Sequence, residues 1–244
     1  NAIIVDASAD LDEAVLGVRY SAFGFQGQKC SACSRCIVVD PQGPDGPRMK
    51  LFLERLGEST KTLVLGAPDD PNSDVSPVID QEAANTINRF IETAKAEGLH
   101  ELVGTKDYTI PAGIEDLIAP HIFTGVTETS TIYTQEIFGP VLAVIHATDF
   151  NHAMRLANRH AYKLTGGVFT RKPAHITQSK NEFRVGNLYI NRGCTGALVG
   201  RQPFGGFGMS GVGSKAGGPD YLHQFVDPRA SCENTMRRGF APEL

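Results

Sequence analysis

The sequence predicts an α/β domain with a largely parallel sheet flanked by helices. Three observations lead there. Short apolar strands and amphipathic helices alternate along the chain, the pattern of strands joined by crossover helices. The clearest helix, Gln81 to Glu97, carries an apolar stripe of Ala83, Ile87, Phe90, Ile91 and Ala94, with Asp80 placed to cap its start and Gly98 its end. The composition, 41% hydrophobic and 20% charged, is that of an ordinary globular protein.

The elements follow in order. Ile3 to Val5 reads as a short strand. Asp10 is a candidate cap for a helix from Leu11, whose buried side would be Leu11, Ala14, Val15, Val18 and Ala22. A glycine-rich turn, Gly24 to Gln28, leads into a strand ending at Val39. After a proline- and glycine-rich loop, Arg48 to Lys61 is expected to be a helix burying Leu51, Phe52 and Leu56. Strands are expected near Ile122-Phe123, from Val141 to Ile145, from Leu164 to Phe169 and at Leu188 to Ile190. Helices are expected from Asn151 to Arg159 and from Ala174 to Glu182. Beyond Ile190 the character changes. Residues 191–218 are dense in glycine, and the stretch from His223, with Arg237-Arg238, reads as a tail that packs on something else.

Charge and hydropathy exclude some functions. The 244 residues carry 27 acidic and 23 basic side chains, a net charge of −4 without a Lys/Arg block, which argues against a nucleic-acid partner. No apolar run approaches the roughly 18 residues of a membrane span. The five cysteines are odd in number and unevenly spaced, which fits a reducing, cytoplasmic compartment better than a disulfide scaffold.

Three segments carry chemistry. Gly24-Phe25-Gln26-Gly27-Gln28-Lys29-Cys30 puts a thiol after a glycine-rich turn, where backbone N–H groups can stabilise an oxyanion; a buried structural thiol is the alternative. Cys30, Cys33 and Cys36 also form C-x2-C-x2-C, part of an iron–sulfur spacing, but the strand-like Ile37-Val38-Val39 that follows suits a cluster loop poorly. Gln135-Glu136-Ile137-Phe138-Gly139-Pro140-Val141 sets a carboxylate and an aromatic on opposite sides of Ile137. Such a pair can hold a ribose hydroxyl and a flat ring, or be a solvated Glu and a core Phe. In Pro203-Phe204-Gly205-Gly206-Phe207 the paired glycines permit close backbone approach, or simply make a turn. The seven histidines show no metal-ligand spacing.

Taken in order, F-x-x-x-G-Q-x-C, E-I-F-G-P-V and P-F-G-G-F resemble the catalytic portion of the aldehyde dehydrogenase family, over essentially the whole chain. Gly27-Gln28-Lys29-Cys30-Ser31-Ala32-Cys33-Ser34-Arg35, Thr195 to Gly200 and Lys215 to Leu222 resemble its 1-pyrroline-5-carboxylate dehydrogenase branch, and Glu233 to Glu243 resembles the tail of bacterial members. The resemblance implies an aldehyde dehydrogenase catalytic domain over 1–187, a returning segment with a substrate-anchoring loop over 188–222, and an oligomerisation strand and tail over 223–244. It implies Cys30 as the nucleophile that forms a thiohemiacetal and then a thioester. Glu136 and Phe138 would contact NAD. Ser31, Gly196 and Ala197 would hold the substrate carboxylate, and Phe204 its aliphatic chain. The implied reaction is NAD-dependent oxidation of L-glutamate γ-semialdehyde to L-glutamate in proline breakdown, by a homo-oligomer.

The chain opens Asn1-Ala2-Ile3-Ile4-Val5 without Met. The family places a Glu-x-Gly-Gly-Lys-like segment, bearing the general base, just before this point, and a Rossmann-type NAD domain earlier still. The expectation is therefore a C-terminal part of a longer protein, which in some members is fused to a proline dehydrogenase domain, and no turnover by the 244 residues alone. Two alternatives are an aldehyde dehydrogenase for another substrate and a thiol or iron–sulfur binding module built on Cys30, Cys33 and Cys36.

Overall fold

The computed structural model describes residues 1–198, 200–211 and 214–236. Val199, Arg237-Arg238 and the rest of the tail match over 237–243 lie outside the described residues. Seven strands form one sheet in the order β3 (His100–Val103), β4 (His121–Thr124), β5 (Val141–Ala147), β2 (Arg35–Val39), β1 (Ala2–Val5), β7 (Thr165–Phe169) and β8 (Asn187–Ile190). Every neighbouring pair is parallel except β3 with β4. A second, two-stranded sheet pairs β6 (Tyr162–Lys163) with β9 (Phe207–Gly208).

The central strands are mostly apolar because both faces are covered. Alternate residues feed two cores. Ile4, Ile37, Ala143, Ile145 and Val168 join the side chains of α3 (Gln81–Ala96), α4 (Phe150–Asn158) and Phe183 on one face. Ile3, Val5, Cys36, Val38, Leu142, Val144 and Phe169 meet α1 (Leu11–Phe23) and α2 (Pro47–Lys61) on the other. The helix starts are capped as expected: Asp10 accepts from the amides of Asp12 and Glu13, and Asp80 from that of Ala83. Pro47 and Pro173 open α2 and α5 (Pro173–Glu182), where a missing N–H costs nothing.

The expected strands and helices are present, most of them shifted by one residue at an end. Two features go beyond the expectation. His100–Val103 forms an antiparallel edge strand; only Val103 is buried, so it lacks the apolar signature of the inner strands. The 188–222 segment begins inside β8, which is the last strand of the main sheet. Residues 226–236 are exposed and join no strand among the described residues.

Candidate active site

The turns that enter the parallel strands all lie at one edge of the sheet, the amino end. Asn1 precedes β1, Cys30 precedes β2, Glu136 precedes β5, Thr165 opens β7 and Gly186 precedes β8. Sites in open α/β sheets are usual at the carboxyl end. Here the chemistry-bearing residues gather at the opposite edge, where the turns before β2 and β5 hold Phe25, Gln26 and Phe138 at positive φ.

The turn before Cys30 is tight. Phe25, Gln26 and Gly27 have φ of 56°, 55° and 66°, all left-handed. Only glycine takes this conformation at no steric cost, so Phe25 and Gln26 store strain beside the thiol. Cys30 emerges exposed, whereas Cys33, Cys36 and Cys194 are buried. The side chain of Asn1 clamps the loop from beneath: its Nδ2 donates to the carbonyls of Cys30 and Ala32, both at 2.8 Å.

Cys30 faces a cavity of about 240 Å³, lined also by Asn1, Arg35, Gln135, Glu136 and His160. Arg35 is buried, with its guanidinium 5.0 Å from the Tyr133 ring centre and Nη1 without a hydrogen-bond partner among the described residues. Burial lowers its affinity for the proton, yet a guanidinium stays charged at any ordinary pH. His160 donates from Nε2 to the Thr134 carbonyl at 3.0 Å. Burial pulls its imidazole below the usual range, partly offset by that hydrogen bond. Glu136 and Phe138 diverge around buried Ile137. Glu136 lines the Cys30 cavity, while Phe138, at φ 57° and 46% exposed, lines a separate open groove with Phe25 and Ile79.

A second cavity, about 470 Å³, lies on the other side of the cysteine loop. Lys29, Ser31, Gly196, Ala197, Gln202, Phe204, Ala216 and Gly217 line it. All four residues expected to hold the substrate are therefore in one place. The Phe204 loop is braced from two sides. Asn187 donates to the Pro203 carbonyl at 2.9 Å and accepts from the Gly205 amide at 3.3 Å. Phe204 and Ala216 exchange backbone hydrogen bonds at 3.0 and 2.9 Å. A Cβ on Gly186 would collide with the Gly205 carbonyl, so glycine there lets the loop seat against the start of β8.

The three clustered cysteines part company. Cys33 and Cys36 lie in the core beside α1, and burial pushes both thiols up, while Cys30 faces the cavity. Among the described residues no group of three or more His, Cys, Asp or Glu is placed to hold a metal ion. Sequence reasoning missed Arg35 and His160 beside the thiol. Lys29 lines the second cavity, with its ammonium 5.8 Å from both the Tyr20 and Phe25 ring centres. Arg35 alone left a signal, a charge opening an otherwise apolar strand.

A thiol on a strained turn, at the amino edge of a parallel sheet and between two cavities, is an arrangement for covalent chemistry on a small electrophile. Residues 1–230 match the model of the aldehyde dehydrogenase family, and the chain belongs to that family. It is 49% identical over 220 residues to 1-pyrroline-5-carboxylate dehydrogenase of Geobacillus sp. (strain WCH70), covering 90% of this chain and 41% of that protein. It is 44% identical over 231 residues to the enzyme of the same name from Bacillus subtilis (strain 168), covering 95% of this chain and 43% of the relative. Among solved structures, proline utilization A (PutA) from Bdellovibrio bacteriovorus superposes with a TM-score of 0.88 at 48% identity, over 100% of this chain and 24% of that one. The Thermus 1-pyrroline-5-carboxylate dehydrogenase with bound NAD gives 0.83 at 46% identity, over 93% and 42%. The chain thus spans under half the length of these relatives.

Proposed function

We propose that the protein carrying this chain oxidises L-glutamate γ-semialdehyde, the open form of 1-pyrroline-5-carboxylate, to L-glutamate with NAD. The observation that carries this reading is the anchor cavity. Ser31, Gly196, Ala197 and Phe204 converge there, next to the Cys30 loop. A hydroxyl and backbone N–H groups suit a carboxylate, an adjacent aromatic suits a short aliphatic chain, and the Lys29 ammonium adds attraction for the anion.

In this reading the Cys30 thiolate attacks the aldehyde carbon and forms a tetrahedral thiohemiacetal. The Cys30 N–H, which meets no acceptor among the described residues, stabilises the oxyanion. Loss of hydride from the same carbon leaves a thioester on Cys30, and attack by water releases L-glutamate and restores the thiol. The exposed Glu136 carboxylate and Phe138 ring fit a nucleotide cofactor: the carboxylate accepts from ribose hydroxyls and the ring offers a flat apolar face. NAD, when bound, supplies the hydride acceptor.

The organisation into a catalytic domain over 1–187, a returning anchor segment over 188–222 and an oligomerisation segment over 223–244 is part of the proposal. So are a homo-oligomer, an NAD-binding domain elsewhere in the parent, and a cytoplasmic location, which the five free thiols support. The likeness to proline utilization A supports a parent with a further fused domain. The test is NADH formation by the full-length protein from glutamate γ-semialdehyde, lost in Cys30→Ser. Preference for a long alkyl aldehyde would sink the substrate assignment. The 244 residues alone are expected to show no sustained turnover.

A further inference from the structure

Ser31 faces two ways. The residue lines the anchor cavity, while its carbonyl points into the protein and accepts from Thr165 Oγ1 at 3.2 Å and Cys194 Sγ at 3.4 Å. Both donors are buried, at 1% and 0% exposure. The Thr165 amide donates to Asn1 Oδ1 at 3.0 Å, and the same Asn1 side chain holds the carbonyls of Cys30 and Ala32. Three consecutive carbonyls, 30 to 32, are thus drawn toward the β1–β7 edge.

In a planar trans peptide the carbonyl of one residue lies opposite the N–H of the next. The inward carbonyl of Cys30 therefore turns the Ser31 N–H outward, and that N–H meets no acceptor among the described residues. Cys194 sits two residues ahead of Gly196, and its amide donates to Ser21 Oγ at 3.1 Å while the Cys33 amide donates to the Ser21 carbonyl at 2.9 Å. The two halves of the anchor, Ser31 on one loop and Gly196-Ala197 on the other, are fastened to each other through these buried groups. Thr165 is the stronger donor to the shared carbonyl, since a thiol donates weakly.

We propose that Thr165 is a positioning residue for recognition of the substrate carboxylate: its hydroxyl, aided by the Cys194 thiol, holds the Ser31 carbonyl inward so that the Ser31 hydroxyl faces the anchor cavity beside Gly196 and Ala197. This deepens, and rests on, the semialdehyde reading above. Thr165 lines neither cavity and reaches the anchor only through the Ser31 carbonyl, so its effect falls on binding of the carboxylate and not on the reacting carbon.

The experiment uses the full-length protein and two aldehydes, glutamate γ-semialdehyde and propanal, which lacks the carboxylate. Thr165→Val keeps the shape and removes the hydroxyl. It is expected to raise KM for the semialdehyde about tenfold with kcat within about twofold, and to leave kcat/KM for propanal unchanged. Thr165→Ser restores the wild-type values. An equal loss with both aldehydes, or no change with either, overturns the proposal. If Thr165→Val does not fold, Thr165→Ala is read the same way: a rise in KM confined to the semialdehyde supports the proposal, and its absence overturns it. A wild-type protein indifferent to the carboxylate sinks the semialdehyde reading and this proposal with it. A wild-type preference for the semialdehyde, with both aldehydes lost equally in the variant, sinks this proposal alone.

Discussion

Gly27 and Gly139 meet backbone to backbone. Gly27 is left-handed at φ 66°, and a Cβ built on it would overlap the Gly139 carbonyl. The contact joins the turn before Cys30 to the segment carrying Glu136 and Phe138, so the thiol and the carboxylate are set relative to each other through main chain and not through flexible side chains. Gly27→Ala adds both a left-handed penalty and an overlap, and should cost about 2 kcal/mol or more. A denaturant midpoint equal to that of the wild type would contradict this, as would an unaltered rate of Cys30 alkylation in the native state.

The five thiols divide by exposure. Cys30 and Cys232 are exposed, while Cys33, Cys36 and Cys194 are buried in the native fold. Iodoacetamide applied to native protein should therefore label Cys30 and Cys232 and spare the other three, and labelling in denaturant should reach all five. Peptide mass spectrometry reads the pattern. Rapid native labelling of Cys36 would mean that β2 is not the inner strand described.

The alternation of strand and helix was legible because inner parallel strands are apolar on both faces and their helices carry stripes. Edge strand β3 was not, since exposed His100 and half-buried Glu101 carry no such pattern. The site divides the same way. Ser31, Gly196, Ala197 and Phe204 were assigned through family resemblance, and the fold brings them to one cavity. Arg35, His160 and the Asn1 clamp depend on which strand starts lie side by side, a consequence of sheet order that spacing along one chain does not contain.

Ile87 supports the site from outside it. It is buried on α3, and a Cβ on Gly139 would run into its side chain, so helix and loop are in close contact. Ile87→Ala opens a cavity at that contact and should destabilise by about 2–5 kcal/mol. The same substitution frees the loop that holds Glu136. Ile87→Val, which keeps most of the volume, should cost about 1 kcal/mol. Equal unfolding midpoints for the two variants would show that α3 does not pack on Gly139 as described.

Asp6 gives the fold a dependence on acid. It follows β1 and is buried, which by itself raises its pKa. Hydrogen bonds from Ser8 Oγ at 2.5 Å and Thr170 Oγ1 at 2.7 Å, with His175 Nδ1 3.1 Å away, outweigh burial, and the carboxyl titrates below its ordinary value. A carboxyl depressed in the folded state stabilises above its unfolded pKa, near 4. That contribution fades as pH falls through the lower folded value. Asp6→Asn should therefore cost about 2 kcal/mol at neutral pH and progressively less below about pH 4, where the wild type loses the same interaction. Unfolding free energies measured from about pH 7 to 2 test the sign: the gap between wild type and variant must close on acidification, and a gap that widens would place the Asp6 pKa above its ordinary value.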